Sequence, residues 1–138
     1  MPDVIIALVD YLKQAPAVTA IVPPGNVWDF EVPASFDVSM PQPGVLIAPH
    51  GGPKDLAPLQ LNYSRVSVRS FHQTPHLAYT VYWAAHLALK ELLHSVWAGT
   101  YIHNVIQQSG PISGRDVTLQ WPMQTAMYEV KASDLNVT

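Results

Sequence analysis

The sequence predicts an α+β fold: a mostly antiparallel sheet of about four to five strands with two main helices packed on one face. Three observations carry this. First, the segment Tyr63–Phe71 alternates. Ser64, Val66, Val68 and Ser70 point one way; Tyr63, Arg65, Ser67, Arg69 and Phe71 point the other. Val66 and Val68 are the core-facing pair. Second, Thr74-Pro75 opens a long apolar helix, with Thr as N-cap and Pro at the first helical position. Third, the elements run helix, strands, helix, strands, an order that a sheet with helices on one face satisfies.

The first helix spans Asp3 to Gln14. Asp3 is placed to accept hydrogen bonds from the free N–H groups of the first turn. Ile5, Leu8, Val9 and Leu12 form a stripe at helical spacing, with Asp10 and Lys13 outside it. Pro16 ends the helix and opens a short second turn through Ala17, Val18 and Ile21. Pro23-Pro24-Gly25-Asn26 stops and turns the chain. Val27–Phe30 and Val45–Ala48 read as strands, the second central because it is apolar throughout.

The long helix is expected to run to about Trp97, with Gly99 as a left-handed terminator. Turned at 100° per residue, Leu77, Val81, Tyr82, Ala84, Ala85, Ala88, Leu89, Leu92, Leu93 and Val96 form one apolar band. That band covers roughly half the circumference, wider than the ~100° stripe of a surface helix. The opposite side holds Tyr79, Trp83, His86, Leu87, Lys90, Glu91, His94 and Trp97. After the helix, Tyr101–Gln108 reads as a strand and Ser109-Gly110-Pro111 as a turn. Val117–Trp121 suits another short strand. Gln124–Ala132 closes the sheet, with Ala126, Tyr128 and Val130 inward.

Composition bounds the function. The chain has 138 residues, which suits one domain over residues 1–138. Charged residues make up only 12% and hydrophobic residues 49%. An average protein has about 25% charged, so a surface this poor in charge points to cover by partners. The formal net charge is −3 and the seven Lys and Arg are scattered, which leaves no electrostatic grip on nucleic acid. Cysteine is absent, which removes disulfides, thiolate metal sites and Cys nucleophiles together. There is no basic n-region of a signal peptide, and no apolar run approaches the ~20 residues of a membrane span. Eight of the 13 prolines fall between Pro23 and Pro58. Pro-rich loops are therefore expected at about 31–44 and 49–60, with a loose tail at about 133–138.

Chemistry-bearing patterns are weak. The six histidines have no carboxylate at ligand spacing, so they read as polar, partly buried or interfacial residues and no metal site is assigned. His50-Gly51-Gly52 and Gly110-Pro-Ile-Ser113-Gly114 look like hydrolase loops, but the second lacks the G-x-S-x-G spacing, so both read as glycine turns. Asp29 and Glu31 share a strand side and read as an exposed strand end. No phosphate loop, dinucleotide fingerprint or calcium loop is present. No catalytic residue and no cofactor is assigned. Tyr79, Trp83, His86, Leu87, His94 and Trp97 form the candidate subunit interface, because Trp and Tyr anchor interfaces; packing under the loops is the alternative for the aromatics. Arg65 and Arg69 join that candidate set as inter-subunit salt-bridge partners, with a solvated strand face as the alternative.

The whole pattern resembles one family. An N-terminal helix and a turn lead to Asn26-Val-Trp-Asp. Pro43-Gly-Val-Leu-Ile follows, and then Arg65-Val-Ser-Val-Arg69. The Ala-rich helix Ala78–Leu93 and the closing strand Met127-Tyr-Glu-Val-Lys complete it. This order resembles the tail terminator (tail completion) proteins of long-tailed bacteriophages. The resemblance implies a virion structural subunit, with no enzymatic step and no cofactor. It implies a homohexameric ring at the head–tail junction. That ring would cap the tail tube protein, end its polymerisation and join it to the head connector. DNA would pass through the lumen without sequence-specific binding, with no membrane involved. The protein would reside in the virion after assembly in the host cytoplasm. The alternatives are a head-completion or neck protein on the connector side, and a small α+β hydrolase or ligand-binding domain.

Overall fold

The computed structural model describes residues 4–33, 41–49, 54–56, 61–116 and 120–134. Helix α1 (Val4–Gln14) and the short α2 (Pro16–Thr19) lead through a 3-10 turn at Pro24–Asn26 into β1 (Val27–Asp29). Strands β2 (Gly44–Pro49), β3 (Lys54–Leu56) and β4 (Leu61–Phe71) follow, then α3 (Pro75–Lys90). Strands β5 (Ser95–Trp97), β6 (Thr100–Arg115) and β7 (Pro122–Asp134) complete the described chain.

The architecture is α+β. The sheet order is β1-β2-β4-β7-β6-β5, with β3 paired to β4 off that path. The sheet is mixed: β1 lies parallel to β2, and the other pairs are antiparallel. The sequence led to fewer strands because β3 and β5 have three residues each, too few to display an alternation.

The longest regular ladder joins β4 to β7, from Leu61 opposite Ser133 to Phe71 opposite Met123. Its alternation divides the protein into two faces. Val66, Val68, Ala126, Tyr128 and Val130 enter the main core with Leu8 and Leu12 of α1 and Val81, Ala85 and Leu89 of α3. Burying each Leu or Val side chain contributes about 1.5–3 kcal/mol. Both main helices thus cover one face: α1 over β1 and β2, α3 over β4, β7 and β6. Ala84, Ala85 and Ala88 are buried on α3; their small side chains admit α2 close to it. The Tyr11 hydroxyl of α1 donates to the Ala88 carbonyl. On the far face Trp28, Leu46, Phe71 and Trp121 form a second cluster at one end of the sheet. Phe71 points away from the helices yet is fully buried, because Trp121 meets it edge-on at 6.0 Å.

Several expectations are corrected. Helix α3 stops at Lys90, not near Trp97. Leu92 turns into the core, while Leu93 and Val96, expected in the buried band, are exposed. Gly99 terminates no helix. Trp97 pairs with Thr100, so Ala98 (φ 50°) and Gly99 (φ 76°) form a two-residue hairpin turn, and both left-handed positions match the twist of the strands. The turn expected at Ser109–Pro111 is likewise absent, because β6 runs on to Arg115. Its register against β7 shifts there and at two nearby points, which absorbs the Gly-Pro step as a strand irregularity.

Other expectations fall partly outside the described residues. The Asp3 cap, half of the first Pro-rich loop and most of the second do so, although β2 already begins at Gly44 and β3 lies within the second loop range. The short strand expected at Val117–Trp121 does so too. At its described ends the Asp116 N–H donates to the Trp121 carbonyl and the Gln120 N–H to the Asp116 carbonyl. Of the expected loose tail, Ser133 and Asp134 still belong to β7.

Gly110 explains how β6 passes its irregularity. Its φ is 96°, and a Cβ there would sit 2.6 Å from the Thr125 carbonyl oxygen and 2.8 Å from the Ala126 Cα. Gly110→Ala is expected to destabilise by about 2–4 kcal/mol, combining positive-φ strain with overpacking against backbone. Gly25→Ala, with nothing within 4 Å of the added methyl, serves as the near-neutral control. Urea unfolding midpoints of the two variants check this; equal midpoints would show that Gly110 is not needed.

Candidate subunit interface

Helix α3 carries an aromatic stripe on the flank nearest β6. Tyr79, Tyr82, Trp83 and His86 recur at helical spacing and touch in sequence. Tyr79 and Trp83 have ring centroids 6.3 Å apart. Tyr82 stacks on Trp83 at 5.8 Å and on His86 at 5.6 Å. Tyr82 is buried, whereas Trp83 is 47% exposed, and Tyr79 and Leu87 are similarly open to solvent. Large apolar groups arranged this way are costly in water and typical of contact anchors.

A hydrogen-bond relay holds the stripe in place. Gln107 on β6 gives its amide N–H groups to the Ser109 and Gly110 carbonyls. That leaves its Oε1 to accept from the Tyr82 hydroxyl at 3.2 Å. Tyr82 also hydrogen-bonds the neighbouring Tyr128 hydroxyl. Tyr128 in turn lies 2.9 Å from His86 Nδ1, where the imidazole tautomer decides which of the two donates. Burial, with Tyr82 as the second cause, pushes the Tyr128 phenol well above its ordinary range. Burial also lowers His86, helped by the Lys90 ammonium one turn on. Burial and the Lys90 charge both favour the neutral His86 imidazole, and the relay ties α3 to the irregular part of β6.

Beside the stripe, β6 has an edge left open by the described residues. Strand β5 covers only Thr100–Ile102; on its other side β6 pairs with β7 throughout. Ile106 lies opposite Glu129 and Ile112 opposite Thr125, which puts both on the face away from α3. Ile112 is 62% exposed and Ile106 is exposed as well. The open edge is therefore flanked by aromatics on one side and by two isoleucines on the other.

The structure divides the predicted interface set into three places. Tyr79, Trp83, His86 and Leu87 come together on α3. His94 and Trp97 are not on that helix. Trp97 sits on β5, half-buried and edge-on to Tyr11 at 5.1 Å. His94 lies 6.5 Å from His103 and from Tyr101. Arg65 and Arg69 stand on the sheet face away from α1 and α3. Arg65 is opposite Glu129 in the register, and Arg69 reaches Asp116 at 4.0 Å, a partly exposed pair worth little. Ile106 and Ile112 escaped notice because the Ser109–Pro111 turn was expected to end the strand. The alternation of Val105 and Gln107 against Ile106 was the signal available.

Among the described residues the relay contains no carboxylate and no nucleophile beside a base. Among the described residues no group of three or more His, Asp and Glu comes together to hold a metal ion.

Comparisons bear on the fold. No protein-family model and no curated protein matches the sequence. Among solved structures, the chain is similar to a chain of the virion of a native gene transfer agent particle. The TM-score is 0.61 at 12% identity, over 94% of this chain and 93% of that one. The two share a fold along nearly their whole lengths.

The histidines give a pH prediction. His86, His72 and His103 are all lowered from 6.5 by burial. The unfolded chain therefore takes up protons first, and stability is full above pH 6.5 and lost as pH falls toward the folded values. The urea midpoint should drop between about pH 7.5 and about pH 5, and His86→Gln should shallow that slope. An unchanged slope would show that His86 carries none of the linkage.

Proposed function

We propose that this chain is a virion structural subunit of a phage-like particle, acting as a tail terminator. It forms a single domain that closes into a homohexameric ring at the head–tail junction. The ring caps the tail tube protein, ends its polymerisation and presents its other side to the head connector. DNA passes through the lumen without sequence-specific contact. The role is one of assembly, without a chemical step or cofactor.

The observation that carries this reading is the two-way, nearly full-length likeness to a chain of a gene transfer agent virion. The order of sequence elements already resembled tail terminators. The surface supports self-association: α3 offers Tyr79, Trp83, His86 and Leu87, and β6 adds Ile106 and Ile112 beside an open edge. Arg65 and Arg69 on the sheet face away from α1 and α3, and His94 near the β5 hairpin, lie at its margins as polar rim.

Two tryptophans separate contact from core. Trp83→Ala should cost less than about 1 kcal/mol of unfolding free energy, as a half-exposed position does, yet abolish or strongly reduce oligomer mass in size-exclusion chromatography with light scattering. Trp97→Ala should cost about 2–4 kcal/mol by removing its packing on Tyr11 and the core. A wild-type protein that stays monomeric at every concentration, or a Trp83→Ala variant that assembles normally, would contradict the reading.

A further inference from the structure

Helix α1, strand β1 and the β5–β6 turn at Ala98 border an open cleft of about 790 Å³. Its walls combine Ile6, Val9 and Trp28 with Asp10, Lys13 and Asp29. Ile6 is 46% exposed there, and Phe30, directly after Asp29, is 57% exposed. The Phe30 backbone has φ 64°, a left-handed conformation that costs a bulky residue about 1–3 kcal/mol.

Building on the ring reading above, we infer that this cleft receives the β6 end of a second copy of the same chain. A cyclic ring joins two different surfaces of each subunit, head to tail. The described sheet ends in β1 and β5, and because β5 covers only Thr100–Ile102, β1 and the remainder of β6 are the described edges available for such a joint. Their chemistry is complementary. Exposed Ile106 and Ile112 match Ile6 and Phe30. Lys90 continues the aromatic stripe of α3, and the described lining of the cleft carries two aspartates to one lysine. The contact is made by side chains, not by a continued ladder. β1 has only three residues, and the three register shifts of β6 break its edge as a template for regular pairing. Those shifts also oppose a two-fold dimer in which β6 pairs with itself.

Because the chain has no cysteine, engineered thiols report contacts cleanly. Ile6→Cys and Ile106→Cys proteins are mixed and treated with a short bismaleimide under conditions where light scattering shows association. The mixture should give cross-linked dimer several-fold above either variant alone, and the Ile6→Cys/Ile106→Cys double variant should give a ladder of higher species. Efficient cross-linking of Ile106→Cys to itself would overturn the inference in favour of a two-fold contact. An associated protein with no cross-link between positions 6 and 106 would overturn it while leaving the ring reading intact. A protein monomeric by light scattering at all concentrations would overturn the ring reading itself, and this inference with it.

Discussion

The ladder between β4 and β7 is the constraint on which the rest of the structure depends. Eleven consecutive residue pairs, Leu61 with Ser133 through Phe71 with Met123, fix which side chains meet the helices. A one-residue slip would exchange either Val66 and Val68 for Arg65 and Arg69, or Tyr128 and Val130 for Glu129 and Lys131, in the core. Either exchange would bury two charges beneath α1 and α3, so the register is strongly determined. Once it is set, α3 has one place to lie, and Arg65, Ser67 and Arg69 are turned to the opposite sheet face.

Function follows from what this arrangement leaves uncovered. Helix α3 is wider in apolar surface than its seat on the sheet requires. The excess emerges on the flank toward β6 as Tyr79, Trp83 and Leu87. The relay from Gly110 through Gln107, Tyr82 and Tyr128 to His86 ties that flank to the irregular half of β6. A strand that would otherwise be a flat, aggregation-prone edge is thereby shaped and furnished with aromatic neighbours. Such an edge suits a defined partner better than indiscriminate pairing.

Much of this was legible in the sequence, and the failures have physical causes. The β4 alternation, the Thr74-Pro75 helix start and the inward set of β7 were readable because their periodicity extends over nine or more residues. Thr74 does cap α3, its hydroxyl accepting from the Leu77 N–H at 3.1 Å. The end of α3 was not legible. Residues 91–97 continue the helical apolar pattern, but pairing of Ser95–Trp97 with Thr100–Ile102 takes them into a hairpin, a tertiary gain that local periodicity does not encode. The Gly110-Pro111 step looked like a turn because the dipeptide ordinarily is one; the register shifts against β7 that keep it in a strand are long-range. For the site, Tyr79, Trp83, His86 and Leu87 were visible as a helix flank, whereas Ile106, Ile112 and the cleft beside Phe30 required the sheet order.

The central claim is that unlike surfaces of this subunit join head to tail and close. Electron micrographs of the purified, assembled protein test it most directly. The account predicts discrete rings of one diameter with a central opening. Compact two-fold dimers, or open filaments of variable length, would contradict it.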